Sequence, residues 1–206
     1  SLDFTDEVII VDSFSKDKTI EIATPLVDII FKREFKYPAD QKNWVIPKAQ
    51  HKWIFLLDAD EKVTSELKKE IMKTINSNTT VSGFWIKREN YFMGKKVRFS
   101  GWRGDKVIRL FKRDECRYED KYVHEEIISK GKIGTLKNKI THNTYKSKNL
   151  YFKKLVRYAK WQAKDYDKKV KKINTYHTTI KPLIRFCKHF IFQLGIFHIC
   201  IAQSFR

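Results

Sequence analysis

The sequence lacks a hydrophobic run long enough to cross a membrane. Its longest apolar stretch, Phe190 to Ala202, is well short of the ~20 residues that a transmembrane helix requires. Cysteine is also scarce, since Cys116, Cys187 and Cys200 are the only three and show no metal-ligand spacing. We therefore expect buried, free thiols in a reducing compartment and no disulfide framework.

Acidic residues are rare in the last third of the chain. The 206 residues include 43 Lys and Arg and 24 Asp and Glu, which gives a formal charge of +19. From Asn143 onward there are fifteen basic residues and two acidic ones, so most of the excess lies there. Such a balance indicates an anionic partner, either nucleic acid, an anionic membrane or a phosphorylated substrate. Composition does not choose among the three.

Short apolar runs alternate with helical segments in the first part of the chain. This alternation is typical of a βαβ-type parallel sheet, in which ligands bind at the carboxyl ends of the strands. We therefore expect Asp12 and Asp58, which both follow predicted strands, to face one crevice. Strands are predicted at 7–11, 27–30 and 53–57, and helices at 18–23, at 41–49 and after Thr64 or Ser65, where Leu67, Ile71 and Ile75 form one face.

The pattern changes after Gly83. Strands separated by loops are predicted at 83–87, 97–100 and 107–111, and a helical repeat begins at Tyr151. The fold class is therefore α/β, with a helical C-terminal part.

The element Asp58-Ala59-Asp60 directly follows the clearest predicted strand. Two carboxylates near one point repel each other unless a cation lies between them. Hard oxygen ligands suit Mg²⁺ or Mn²⁺, which also bind diphosphate oxygens. Two alternatives remain: a solvated acidic turn that caps the next helix, and a phosphatase of the haloacid dehalogenase type, from whose pattern Lys62 departs.

Six segments occur in the order of one known set of motifs. They are residues 11–19 and 41–44 on the nucleotide side, 53–61 around the metal motif, and 109–113, 123–125 and 141–145 further on. These segments resemble the motifs of family 2 glycosyltransferases, and the subgroup resembled most consists of bacterial lipopolysaccharide-core glucosyltransferases that act on inner-core heptose. Phe14 departs from the family pattern, which has Gly there, and Pro47 interrupts a helix that the family continues.

The resemblance implies a GT-A fold with a Rossmann-like nucleotide-binding half and a mixed-sheet acceptor half. It predicts a transferase domain over residues 1–150. The excess of basic residues and the helical repeat after Tyr151 predict a basic, amphipathic helical extension over 151–206. It also predicts a further strand before Leu2, so that the chain is expected to be N-terminally incomplete.

The resemblance assigns roles to individual residues. The proton acceptor of an inverting transfer is expected to be Glu125, with Asp120 and Glu126 as other candidates. His124 either orients the base or is a packed histidine. The metal ligands are expected to be Asp58, Asp60 and His142. The expected contacts to the nucleotide sugar are Asp12, Gln41, Asn43, Asp58 and Arg109.

The function implied is transfer of a hexose, expected to be glucose from a UDP-hexose, to a lipid-linked saccharide such as the lipopolysaccharide inner core. The basic, Phe-containing segment from Pro182 to Phe205 suits a helix on an anionic inner-membrane surface. The expected location is cytoplasmic, on the inner face of the membrane. Two alternatives are a basic nucleic-acid-binding module and a truncated, inactive transferase. The sequence shows no nucleic-acid recognition motif, which argues against the first alternative.

Overall fold

A computed structural model describes residues 2–77, 79–99, 102, 104–123, 125–145, 147–169 and 172–194. The chain forms two compact units, of which the first contains residues 1–86 and 107–140 and the second contains residues 87–106 and 141–206. These units are defined by compactness. The predicted transferase domain over 1–150 and extension over 151–206 are defined by function and composition, and that division stays a prediction.

Strands and helices alternate up to residue 75, and strands dominate from there to residue 145. The strands are β1 (Ile9–Asp12), β2 (Ile29–Lys32), β3 (Trp53–Phe55), β4 (Glu61–Lys62), β5 (Gly83–Phe92), β6 (Lys95–Lys96), β7 (Lys106–Lys112), β8 (Cys116–Tyr118), β9 (Ile127–Ser129), β10 (Ile133–Thr135) and β11 (Ile140–Tyr145). The helices are α1 (Thr19–Ala23), α2 (Pro38–Val45), α3 (Ser65–Ile75), α4 (Lys148–Lys169) and α5 (Lys181–Cys187).

The strands form one large mixed sheet and two small sheets. β1 and β2 pair in parallel with α1 between them in sequence, which confirms a βαβ unit. The large sheet has the order β3-β7-β5-β11-β4, with β6 and β10 also paired to β5. β3 is antiparallel to β7, so the predicted single parallel sheet through β1, β2 and β3 is not what forms. An apolar run indicates a strand, but it does not specify the neighbour with which that strand pairs.

Helix α3 forms as its sequence predicts. The Thr64 side chain caps it by accepting a hydrogen bond from the backbone N–H of Leu67 at 3.2 Å. Leu67 and Ile71 are fully buried and pack with Ile86 and Leu110 in one core of the first unit. Burial of one such side chain stabilises the folded state by about 1.5–3 kcal/mol. The apolar face of α3 therefore holds this helix on the sheet.

Helix α2 begins earlier and ends earlier than predicted. Pro38 occupies its first turn, where a missing N–H costs nothing, and the helix ends at Val45. Residues 46–48, which include Pro47, form a 3₁₀ turn because proline cannot continue an α-helix. Ala39 and Ile46 are buried against Phe111, Cys116 and Tyr118 in a second core of the first unit.

The second unit contains a cluster of aromatic side chains. Phe92, Tyr145 and Tyr151 contact one another edge to face at 4.9 to 5.6 Å between ring centroids. The chain reverses between β5 and β6 at Met93 and Gly94, which have φ of 48° and 77°. That tight turn places the returning strand at residues 95–96, two residues before the predicted strand at 97–100, of which Ser100 lies outside the described residues.

The C-terminal part is mainly helical up to residue 192, and residues 195–206 of the predicted helical extension lie outside the described residues. α4 is followed by a π-helical turn at Tyr176–Ile180, by α5 and by a second π-helical turn at Lys188–Phe192. Across the part of the chain that the structure describes, we find no helix with the length and apolar character needed to traverse a bilayer. Cys116 is buried and Cys187 is partly buried, and both are free thiols.

Candidate active site

Arg109 on β7 connects two carboxylates that follow β3. The Leu56 backbone N–H donates to the Arg109 carbonyl at 2.8 Å, which aligns β7 with the end of β3. The Arg109 guanidinium, 3% exposed, donates to Glu61 at 2.8 Å and also to Asp58. Burial opposes the charge of this guanidinium, but Asp58 and Glu61 outweigh burial and raise the pKa of Arg109. The first carboxylate of Asp58-Ala59-Asp60 is therefore held by a cation of the protein itself.

The turn that carries these carboxylates is closed by its own hydrogen bonds. The Glu61 backbone N–H donates to the Asp58 carbonyl at 2.9 Å, and the Asp58 backbone N–H donates to the Glu61 carboxylate at 3.0 Å. The Glu61 side chain is fully buried, whereas that of Asp58 is 37% exposed. The buried Glu61 side chain thus stabilises the turn, and of these two carboxylates that of Asp58 is the one accessible to a ligand.

Lys42 on α2 joins Asp58 to the predicted base. Its Nζ lies 2.8 Å from Glu125 Oε1 and 3.7 Å from Asp58 Oδ1. The ammonium also lies 4.7 Å from the centre of the Tyr118 ring. Burial lowers the pKa of Lys42, but the charge of Asp58 and the groups around it outweigh burial and raise that pKa. Sequence reasoning missed Lys42, although it stands between Gln41 and Asn43 in a segment already assigned to the nucleotide side.

The candidate bases have different surroundings. Glu125 is only 13% exposed and forms the ion pair with Lys42. Asp120 is exposed and accepts a hydrogen bond from the Tyr37 hydroxyl at 2.7 Å, which raises the pKa of Tyr37 to about 12. His124 lies outside the described residues. Glu125 is thus the candidate that is buried and linked to Asp58 through Lys42, and its role as the base stays a prediction.

Asp12 ends β1 and is 5% exposed. Its carboxylate accepts hydrogen bonds from the Ser15 hydroxyl at 2.5 Å and the Ser15 backbone N–H at 3.0 Å, and these hold the pKa of Asp12 below its usual range. Gln41 lies beside the same strand end, because its side chain accepts from the Ser13 hydroxyl at 3.4 Å and donates to the Val11 carbonyl at 3.5 Å. Asp12 and Gln41 thus lie at the same end of β1, and their contact to the nucleotide sugar stays a prediction.

Asn43 has a structural task that the sequence does not reveal. Its side-chain amide donates to the Tyr118 carbonyl and accepts from the Tyr118 backbone N–H, both at 2.8 Å. These two bonds fasten α2 to β8. The amide keeps one further hydrogen and one further lone pair, so a nucleotide contact by Asn43 stays a prediction.

The predicted metal ligands belong to different units. Within the described ranges, no three His, Cys, Asp or Glu side chains gather closely enough to hold a metal ion. Mg²⁺ in nucleotide sites is held by one or two carboxylates together with substrate phosphates, so a three-residue set is not needed. Asp60, half-buried in the turn after Asp58, carries a suitable hard oxygen donor. His142 on β11 is 8% exposed, and its Nδ1 lies 2.6 Å from the Asn90 Oδ1.

This architecture and these motifs are those of a known enzyme class. The chain belongs to glycosyl transferase family 2, whose family model matches residues 3–159. The mixed α/β architecture described above is therefore a GT-A fold, with a C-terminal helical part. Family membership confirms the resemblance seen in the sequence.

The chain is similar to several curated bacterial glycosyltransferases. The chain is 28% identical over 140 residues to the lipopolysaccharide core biosynthesis glycosyltransferase LpsC of Rhizobium meliloti, a match of 65% of this chain and 52% of LpsC. It is 27% identical to an uncharacterized glycosyltransferase of Rickettsia prowazekii, over 92% of this chain and 68% of the relative. A similar protein of Rickettsia typhi is 26% identical over the same shares. The chain thus spans about half the length of LpsC.

Proposed function

We propose that this chain carries the active site of an inverting glycosyltransferase that moves a hexose from a nucleotide sugar to a lipid-linked saccharide, such as the lipopolysaccharide inner core. One observation carries the proposal: Lys42 links the candidate base Glu125 to Asp58, at 2.8 and 3.7 Å. A base for the acceptor and a carboxylate for the donor side are therefore held by one cation in the first unit. The similarity to LpsC supports the acceptor class.

In the proposed transfer, an acceptor hydroxyl oxygen forms a bond to the anomeric carbon from the face opposite the diphosphate. The bond between that carbon and the diphosphate oxygen breaks, so the configuration inverts and a nucleoside diphosphate leaves. Glu125 accepts the hydroxyl proton, with Asp120 as the second candidate. Lys42 keeps the Glu125 carboxylate in position, and we assign His124 the role of orienting the base.

A divalent ion, Mg²⁺ or Mn²⁺, would supply charge stabilisation for the leaving diphosphate when bound. We propose Asp58, Asp60 and His142 as the residues that hold it. Asp58 is paired with Arg109, and Asp60 lies two residues further along the same turn. The proposed contacts to the donor, expected to be UDP-glucose, are Asp12, Gln41, Asn43, Asp58 and Arg109.

Turnover of defined donors tests this function. The purified chain is incubated with Mn²⁺, a lipid-linked core saccharide and UDP-glucose, UDP-galactose or UDP-N-acetylglucosamine, and NMR reports the anomeric configuration of the product. We expect transfer from UDP-glucose with inversion. Glu125→Gln should lower kcat by about 10²-fold or more, because general-base catalysis is lost. Glu119→Gln, which changes a carboxylate that pairs with Lys121, is the control and should leave kcat unchanged.

A retained configuration would contradict the mechanism, and no transfer from any donor would contradict the activity. Donor binding without turnover would instead identify a chain that keeps the fold and has lost the chemistry.

We also propose that the C-terminal helical part binds an anionic membrane surface from the cytoplasmic side. Large apolar side chains between residues 180 and 192 are exposed rather than packed, and basic residues alternate with them. Phe186, for example, is 57% exposed and stacks on Phe190 at 5.0 Å. Apolar burial in the headgroup region and attraction to anionic lipid act together in such segments. The exposed apolar residues are Ile180, Leu183, Ile184, Phe186, Ile191 and Phe192.

Vesicle sedimentation tests the membrane proposal. We expect the chain to sediment with vesicles that contain phosphatidylglycerol and to stay in solution with pure phosphatidylcholine. Each nearby basic residue contributes about 1 kcal/mol to this attraction, so Arg185→Gln combined with Lys188→Gln should weaken sedimentation. Equal binding to both vesicle types, or to neither, would contradict it.

A further inference from the structure

Tyr166 on α4 lies beside two cations of α5 within the second unit. The Lys181 ammonium donates a hydrogen bond to the Tyr166 hydroxyl oxygen at 2.8 Å, and it lies 4.7 Å from the centre of the same ring. Arg185 follows Lys181 by four residues, so the two side chains project from the same face of α5. The charge of Arg185 also acts on the Tyr166 hydroxyl. One phenol oxygen is therefore under the influence of two cations.

The Tyr166 hydroxyl responds to the electrostatic field of these cations. The hydrogen bond from Lys181, together with the charges of Lys181 and Arg185, outweighs burial and holds the pKa of Tyr166 below its ordinary value of 10.0. A pKa falls in this way when the surroundings favour the charged form, which for a phenol is the anion. The two cations therefore favour negative charge on an oxygen atom at this position.

The sequence places no carboxylate on α5 that could balance these charges. Asp165 and Asp167 on α4 are the last acidic residues, and none occurs from residue 168 to residue 206. Two like charges four residues apart on a helix repel each other and destabilise it. An anion that contacted both Lys181 and Arg185 would remove this repulsion.

A phosphomonoester has the charge and the acceptors that match this pair of cations. At neutral pH it carries a charge of about −1.5 to −2, whereas a phosphodiester carries a single negative charge. The Arg185 guanidinium can bind two phosphate oxygens at once. The Lys181 ammonium has three hydrogens, of which the bond to Tyr166 uses one. The pair therefore suits a dianionic phosphate better than a monoanionic one.

The side chains around this pair of cations indicate that the phosphate belongs to a lipid. Leu183, Ile184 and Phe186 are on the same short helix and are 61%, 56% and 57% exposed. Exposed apolar side chains on a basic helix become buried at the boundary between headgroups and acyl chains when the helix binds a membrane. Burial of these three side chains would bring Lys181 and Arg185 to the level of the lipid headgroups.

We infer that Lys181 and Arg185 form a site for the phosphomonoester headgroup of a membrane lipid, in which Tyr166 holds the Lys181 ammonium in place. This inference rests on the membrane part of the proposed function and adds to it a preference among anionic lipids. General attraction to an anionic surface depends on the surface charge. The site, in contrast, distinguishes a phosphomonoester from a phosphodiester at equal surface charge.

Sedimentation of the whole chain with two kinds of vesicle measures this preference. Phosphatidic acid supplies the phosphomonoester and phosphatidylglycerol supplies the phosphodiester, each in phosphatidylcholine vesicles that are matched in zeta potential. We expect the wild-type protein to bind the phosphatidic acid vesicles about tenfold more tightly, which is the effect of one hydrogen bond between charged groups.

Three variants that each remove one positive charge locate the site. Lys181→Gln and Arg185→Gln should each lose most of the preference for phosphatidic acid, with helix content checked by circular dichroism. Lys160→Gln is the matched control, because it removes the same charge from an exposed position of α4. It should weaken binding to both kinds of vesicle equally and keep the preference.

Equal affinity of the wild-type protein for the two kinds of vesicle would overturn the inference and leave the membrane proposal intact, and this comparison does not depend on the folding of any variant. Binding to neither kind would contradict the membrane proposal as well. A preference that survived in both Lys181→Gln and Arg185→Gln would also overturn the inference. Titration calorimetry with glycerol 3-phosphate tests the source of the phosphate: we expect much weaker binding than to phosphatidic acid vesicles, and equal affinity would contradict a lipid ligand.

Discussion

Arg109 lies between Asp58 and Glu61 and donates hydrogen bonds to both carboxylates. The guanidinium and the Glu61 carboxylate are almost completely buried, with 3% and 0% of their side chains exposed. This relationship makes Arg109 part of the frame that holds the Asp58-Ala59-Asp60 turn, in addition to the donor contact proposed for it.

Replacement of Arg109 by methionine should strongly destabilise the protein. The substitution removes the cation that compensates the buried Glu61 charge, and breaking a buried pair from one side costs about 3–5 kcal/mol. Urea unfolding followed by circular dichroism measures the change. Lys68→Met is the control, because its partner Asp3 is 71% exposed and an exposed pair contributes about 1 kcal/mol or less. Equal losses for the two variants would contradict the buried frame.

Removal of the Asn43 amide should loosen the contact between α2 and β8. Asn43→Ala loses both 2.8 Å bonds to the Tyr118 backbone, and leaving such groups without a partner costs about 1–3 kcal/mol. Gln41→Ala, whose bonds are 3.4 and 3.5 Å long, should cost less. The free energy of unfolding in urea gives both values. If Gln41→Ala lowered the free energy of unfolding more than Asn43→Ala did, the Asn43 bonds would not be the main contact between α2 and β8.

Phe14→Gly should stabilise the chain. Phe14 has φ of 60° and is 59% exposed, so its backbone is in the left-handed region while its ring buries little surface. A non-glycine residue loses about 1–2 kcal/mol in that region, whereas glycine adopts it freely and loses about 0.5–1 kcal/mol in chain entropy. We expect a small net rise in the free energy of unfolding.

The matched variant for this test is Phe14→Ala, which removes the ring and keeps the strained backbone. It should not be more stable than the wild type. A gain in Phe14→Ala as large as that in Phe14→Gly would locate the effect in the ring instead of the backbone.

Stability should fall in acid partly through Glu70. Burial raises the pKa of this carboxyl, but hydrogen bonds from the backbone N–H groups of Lys137 and Asn138 outweigh it and hold that pKa below its ordinary value of 4.5. The unfolded chain therefore takes up the proton first, so the stabilisation is complete above about pH 4.5 and is lost as pH falls through the lower, folded pKa. Glu70→Gln should lose less stability than wild type between pH 6 and pH 3, measured as urea midpoints. Parallel curves would contradict this.

The sequence predicted local features, such as helix caps and periodicity, better than it predicted which distant segments and side chains contact one another. The cap at Thr64 and the spacing of Leu67 and Ile71 determine α3, because capping and helical periodicity act within a few residues. The pairing of β3 with β7 joins residues more than fifty positions apart, and no local pattern encodes it. Lys42 was missed for the same reason: a lysine near a helix start is usually solvated, and only the fold brings Glu125 and Asp58 to it.

Metal-dependent binding of UDP tests the central claim most directly. Titration calorimetry compares wild-type protein with Asp60→Asn, in Mn²⁺ and in excess chelator, with folding checked by circular dichroism. We predict that wild type binds UDP in Mn²⁺ and loses most of this binding in chelator, and that Asp60→Asn binds weakly in both. Equal binding of UDP by wild type with and without Mn²⁺, or by Asp60→Asn and wild type in Mn²⁺, would contradict the account.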